Sequence, residues 1–213
     1  MRFIRQHTSI PVPKVYCAFA HRGETYIVME RIGGQMLGQN WVLGRSAEAK
    51  ARLLGQLKAY VQEMRRLPPP GEAIANVDGG PLHDVRIDDG DPFGPFGDTQ
   101  EFHRFLRNGF ERAPGEQEEI ATMIEMQRRD WGKPVFTHGD LSSLNVFIRG
   151  DDVVAILDWE NAGWLPSYWE YTAACQVAPA NAFWAEYIDE FLEAIPEALT
   201  MERIRQRNFH GLG

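Results

Sequence analysis

Cysteine is scarce. Cys17 and Cys175 are the only two in 213 residues, and they stand far apart in no metal-ligand spacing. Neither a disulfide framework nor a thiolate metal site is indicated, and a reducing cytoplasm is the expected location. The chain also lacks any run of about 18 apolar residues of the kind that crosses a membrane. Residues 1–13, MRFIRQHTSIPVP, lack the apolar centre of a signal peptide. A soluble protein with no membrane partner is therefore expected. Positive charge is in deficit as well: 22 Lys and Arg against 30 Asp and Glu leave a net charge of −8. Nucleic-acid binders usually carry the opposite balance, so no nucleic-acid partner is expected. No internal repeat or low-complexity tract is present.

Hydrophobic residues make up 44% and charged residues 24%, enough for a real core and two lobes. Residues 1–7 read as the last turns of a helix. Pro11 and Pro13 force an extended path, and residues 15–20 and 25–30, rich in Val, Ile, Tyr and Phe, read as strands joined at His21-Arg22-Gly23-Glu24. Gly33-Gly34 then marks a change of direction. The spacing of Leu53, Leu57, Val61 and Met64 predicts a helix over 46–66, stopped by Pro68-Pro69-Pro70. Residues 68–97 read as irregular. Within them, Asp88-Asp89-Gly90-Asp91 lacks the terminal Glu of a calcium loop and reads as solvated surface. Asp98 or Thr99 should cap a helix that buries Phe102, Phe105, Leu106 and Phe110. Further helices are expected over 116–129, 167–176, 180–194 and 201–209, and residues 210–213 as a frayed end.

The chemistry gathers in residues 135–160, VFTHGDLSSLNVFIRGDDVVAILDWE. A short strand enters a polar loop over 137–145. A hairpin follows over 145–160, with Gly150-Asp151-Asp152 as its turn between β-branched runs. That hairpin should fold Asp158 back towards Asp140 and Asn145. Two hard oxygen donors, Asn145 and Asp158, with room left for phosphate oxygens, suit Mg²⁺. Asp140 is placed to accept a proton from a hydroxyl. His138 is expected to pack beneath the loop and hydrogen-bond to backbone. Singly these residues say little, since an Asp before a strand is usually a cap. Jointly, H-x-D-x-x-x-x-N followed by a hairpin and I-L-D is a specific pattern.

HGDLSSLNVFI and AILDWE resemble the catalytic segment of the aminoglycoside phosphotransferase and choline kinase-like family. TSIPVPKVY and YIVMERIGG are similar to the family's earlier segments. The resemblance runs over about residues 1–195. It implies an α+β protein kinase-like fold: a remnant of the small N-lobe over 1–34, and a mainly helical C-lobe over 35–213 carrying the catalytic loop and the metal-binding hairpin. It implies Asp140 as catalytic base, Asn145 and Asp158 as Mg²⁺ ligands, and Met29, Glu30, Arg31 and Ile32 as a hinge that hydrogen-bonds the adenine of ATP. Glu160 becomes an auxiliary metal-site residue and Glu170 a structural acid. The implied reaction is ATP- and Mg²⁺-dependent phosphoryl transfer to a hydroxyl of a small molecule.

The family's nucleotide-covering loop, its strand-borne phosphate-binding Lys and the Glu partner of that Lys have no counterpart in this sequence. Lys14 follows the first helix, and Lys50 and Lys58 lie on a later one. Losing a charged contact to phosphate costs about 1.5–3 kcal/mol, so impaired transfer is expected. Two explanations follow: an incomplete reading of a longer gene, preferred because the site residues are all present, or a non-catalytic kinase-like binding module. A metal phosphohydrolase using His138, Asp140 and Asn145 would need further ligands, and His83, His103 and His210 join no such cluster.

Overall fold

The computed structural model describes residues 1–42, 44–87, 91–111 and 118–209. Asp88, Asp89 and Gly90 of the acidic segment, Glu116 and Gln117 of an expected helix, and the expected frayed end at 210–213 lie outside the described residues.

The chain opens with helix α1 (Arg2–His7), then the hairpin of β1 (Val15–His21) and β2 (Glu24–Met29). A short strand β3 (Gln35–Met36) leads into α2 (Leu37–Val42) and the long α3 (Ala47–Arg65). There follow β4 (Ala75–Asn76), α4 (Thr99–Leu106), α5 (Glu118–Gln127) and β5 (Val135–Thr137). Next come β6 (Val146–Arg149), β7 (Asp152–Ile156), β8 (Gly163–Leu165) and α6 (Trp169–Ala174). A 3₁₀ run over Pro179–Tyr187, α7 (Ile188–Phe191) and α8 (Pro196–Phe209) complete the order.

These elements form two compact units. The first comprises Met1–Arg66, Leu141–Trp159 and Val177–Leu192. Here β3, β6 and β7 form an antiparallel sheet in that spatial order, while among the described residues β1 and β2 pair only with each other. Helix α3 starts where Ser46 Oγ accepts from Ala49 N–H, and it buries Leu53, Leu54, Leu57, Val61 and Met64. From α3, Gln56 binds the β6–β7 hairpin twice: Nε2 donates to Asp151 O in the turn at 2.8 Å, and Oε1 accepts from Val153 N–H in β7 at 3.0 Å. Arg45 adds an ion pair to Asp151 at 2.7 Å. The prolines of the N-terminal segment serve this unit too, since Pro11 O accepts from Ile156 N–H at 2.8 Å.

The second unit comprises Leu67–Asp140, Glu160–Gln176 and the described residues from Glu193 on. Its sheet runs β4-β8-β5, all antiparallel. Around it packs an aromatic core of Phe93, Phe96, Phe102, Tyr168 and Trp169 with Met123 and Ile124. Asp98 caps α4 through Glu101 N–H at 2.8 Å. Phe110, expected in the core, is exposed instead. Helix α4 ends at Leu106, and Asn108 and Gly109 take left-handed φ values of 53° and 71°, which turns the chain outward before Phe110. His103 is fully buried between Gln127 O and Tyr168 Oη, and burial holds its imidazole down at about 4, neutral at pH 7.

The helix expected over 180–194 is broken. Asn181 adopts φ −117°, ψ 16° inside the 3₁₀ run, and its Oδ1 accepts from the buried Ser143 Oγ at 2.5 Å. That tertiary bond accompanies the departure from α-geometry. The last helix begins a turn earlier than expected, at Pro196. No helix among the described residues is long and apolar enough to cross a membrane.

Candidate active site

The hairpin β6–β7 carries one half of the candidate chemistry. Val146 pairs with Ile156, so Asn145 stands opposite Leu157, and Leu157 N–H donates to Asn145 O at 2.8 Å. Asp158 follows at once. Its φ is +62°, a left-handed conformation that costs a non-glycine residue about 1–3 kcal/mol. Backbone strain of this sort persists where the surroundings impose it. Here the ladder ends on one side and Trp159 Nε1–H reaches back to Ile156 O at 2.8 Å on the other. Asp158 is exposed and Asn145 half-buried. One carboxylate and one amide oxygen from adjoining positions fit a hard divalent cation.

The loop that leads into this hairpin is fixed in turn. Ser143 is fully buried, its carbonyl accepting from Gly38 N–H at 3.0 Å and its hydroxyl bonded to Asn181. Nothing local in the sequence marked Asn181, because its partner lies 38 residues away.

His138, Gly139 and Asp140 belong to the second unit, where Glu170 is their anchor. Glu170 has no solvent exposure, and its carboxylate accepts from His138 N–H at 2.6 Å and Gly139 N–H at 3.2 Å. A carboxyl group buried inside an aromatic helix needs such donors, and its setting in SYWEY was the available signal. The His138 ring is also fully buried, with Nδ1 accepting from Asp140 N–H at 3.2 Å. A methyl at Gly139 would lie 2.8 Å from Asn161 O, and φ is +83°, so glycine is required there. The backbone beneath Asp140 is thus held by three hydrogen bonds. Asp140 itself is half-buried and Glu160 exposed.

Met29 closes β2, and Glu30 is pinned to the N-terminal segment: its N–H donates to Lys14 O at 2.8 Å, and Oε2 accepts from Lys14 N–H at 3.2 Å. With Ile32, Arg5 and Val154, Glu30 borders a cavity of 460 Å³ in the first unit. Further on, Arg149 Nε donates to Gly33 O at 2.9 Å, and a methyl at Gly34 would meet Ile148 O at 2.8 Å. Among the described residues no three His, Cys, Asp or Glu side chains gather as a metal site.

Comparison with known proteins adds three findings. A family model described as the phosphotransferase enzyme family matches residues 1–206. No curated protein sequence matches the chain. Solved structures match the fold at low identity. One is a thermostable mutant of an aminoglycoside phosphotransferase in ternary complex with ADP and hygromycin B, at 17% identity and TM-score 0.64, with 96% of this chain and 71% of that one covered. Another is an aminoglycoside phosphotransferase in complex with GDP and kanamycin, at 14% identity and TM-score 0.55, covering 97% and 68%. A third is an aminoglycoside-3'-phosphotransferase of type VIII, at 15% identity and TM-score 0.56, covering 98% and 77%. The α+β architecture is therefore the protein kinase-like one of aminoglycoside phosphotransferases.

Proposed function

The chain belongs to the phosphotransferase enzyme family, and from that premise we propose that it moves the γ-phosphoryl group of ATP to a hydroxyl of a small molecule. The observation that carries this reading is the pairing of Asn145 with Leu157 at the end of β6–β7, which sets Asp158, in its strained conformation, beside Asn145. Asn145 and Asp158 are the residues that would hold Mg²⁺. When bound there, Mg²⁺ supplies charge neutralisation at phosphate oxygens.

Asp140 takes the proton as the O–H bond of the acceptor breaks. The acceptor oxygen then bonds to the γ-phosphorus, and the bond to the β–γ bridging oxygen breaks to release ADP. Glu170 and the His138 ring hold the Asp140 backbone in place for this step. Glu160 is assigned an auxiliary part in holding the metal. The hinge, Met29 to Ile32, offers backbone groups to adenine; Glu30 N–H is already committed to Lys14 O, which leaves its carbonyl for this purpose. Residues 1–34 serve as small-lobe elements and 35–213 as the large lobe. Because the neighbouring structures hold kanamycin or hygromycin B, aminoglycosides head the acceptor panel.

The experiment is ATP consumption with that panel, with and without Mg²⁺, for the native chain and for Asp140→Asn. Turnover that requires Mg²⁺ and falls by about 10²–10⁴-fold in the variant is expected. Absence of both ATP binding and turnover in the native chain would sink the reading.

A second reading has its own observation. Lys14, the sole lysine in residues 1–34, lies over the Tyr16 ring at 5.7 Å, ahead of β1. A kinase-like module that binds without transferring phosphate needs no lysine on a small-lobe strand. It would bind its ligand equally well as Asp140→Asn.

A further inference from the structure

Helix α8 presents Thr200, Arg203, Gln206 and Arg207 at i, i+3, i+6 and i+7, so they share one face. Together with Gln176 and Arg86 they line a cavity of 610 Å³ in the second unit. Among the described residues, every one that lines it is polar or positively charged, and none is a carboxylate. In a chain of net charge −8 that is an unexpected composition.

Arg86 is the buried member of this lining, with its side chain only 8% exposed. Its guanidinium stacks over the Trp169 ring at 4.5 Å, and Nε donates to Asp84 Oδ1 at 2.8 Å while Nη2 also meets Asp84. Those contacts fix the plane of the group. Nη1 is buried and has no hydrogen-bond partner among the described residues. A buried donor left unsatisfied is rare in a folded protein and points to a partner that the described residues do not supply.

The two other arginines stand at the exposed rim. Arg203 has no carboxylate partner among the described residues. Arg207 pairs with Glu119 at 2.9 Å, with its side chain 64% exposed. An exposed pair of that kind contributes little and is readily exchanged for a more highly charged anion. Arginine forks bind carboxylate and phosphate in bidentate fashion, and the amides and hydroxyl of Gln176, Gln206 and Thr200 add donors around them.

We propose that this cavity is a binding site for a small polyanion, a molecule bearing carboxylate or phosphate groups. The site is independent of the phosphoryl-transfer reading, and its charge makes it unsuited to a polycation such as kanamycin.

The test is calorimetric titration of the full chain, freed of divalent cations beforehand on a chelating resin, with inorganic phosphate and, separately, with citrate, at matched ionic strength. Saturable binding of either anion, weakened at least about tenfold by Arg203→Ala/Arg207→Ala, would support the site; which anion binds distinguishes a phosphate ligand from a carboxylate one. Both arginines are exposed, so this variant keeps the fold even where Arg86→Ala does not. No saturable binding of either anion would overturn the proposal. So would binding that is unchanged in the double variant, because the anion would then sit away from these arginines.

Discussion

In the first unit the hairpin β1–β2 leaves Tyr16, Phe19, Tyr26, Ile27, Val28 and Met29 exposed, whereas β6–β7 buries Val146, Ile148, Val153, Ala155 and Ile156. Both are antiparallel, both are rich in β-branched residues, and both turn through glycine at positive φ, Gly23 and Gly150. Strand propensity therefore does not separate them. What separates them is cover. On one side of β6–β7 lies β3, and the Gln56 side chain of α3 binds its turn and second strand. Around β1–β2 the visible gains are mostly internal, such as the Phe19–Tyr26 ring stack at 5.4 Å and the Tyr26 Oη bond to Glu24 at 2.7 Å. A two-stranded ribbon without a packed face is marginal in water. The candidate metal ligands are at the end of the hairpin that is held rigidly, as a site requiring fixed geometry needs.

Matched substitutions can break this comparison. Ile148→Ala removes a side chain that is 2% exposed, and it should destabilise the protein by about 2–5 kcal/mol in chemical denaturation. Ile27→Ala removes the same atoms from a residue that is 49% exposed, and should cost less than about 1 kcal/mol. Equal losses would mean that β1–β2 is covered after all. Next in size is Gln56→Ala, which severs both bonds to the β6–β7 hairpin and leaves the buried Val153 N–H without its partner; about 1–3 kcal/mol is expected. Amide exchange should then accelerate at Val153 and its neighbours while the β1–β2 amides stay unchanged. Faster exchange in both hairpins would show that they open together.

The comparison also shows what could be read from sequence. The 137–145 loop and the hairpin after it were legible because their logic is local: Gly150 in a turn, alternating apolar residues, and a fixed spacing from His138 to Asn145. Helices α3 and α4 were legible from their apolar spacing, and α4 also from its cap Asp98, which forms. The strands β3, β4 and β8 were not, because two or three residues carry no periodicity and their pairing partners lie far along the chain. The same holds for Ser143 and Asn181, and for the bond that Glu170 makes to the loop 31 and 32 residues before it. Nor could composition tell that the residues of β1 and β2 would stay in solvent. Burial is a property of the partner, and a strand's own sequence does not name it.

The smallest expected effect is the most specific to the site. Asp158 ends the buried hairpin at φ +62°, while the exposed hairpin turns through Arg22 at φ 52° followed by Gly23 at 82°. In a two-residue hairpin turn, positive φ at both positions is what matches the strand twist, so the Arg22 conformation has a purely structural reason. Asp158 lies outside any such turn, immediately after the ladder ends, and the fold gains no pairing from its conformation. Replacement by glycine should relieve the backbone strain and, after the added chain entropy of glycine is offset, raise stability by about 0.5–1 kcal/mol. The same change removes the carboxylate assigned to Mg²⁺, so ATP turnover should be lost while the melting temperature rises. Arg22→Gly should raise stability by a similar amount and leave turnover intact. If Asp158→Gly instead lowered the melting temperature, the strain would belong to the fold, and the conformation of Asp158 would no longer count as evidence for a site.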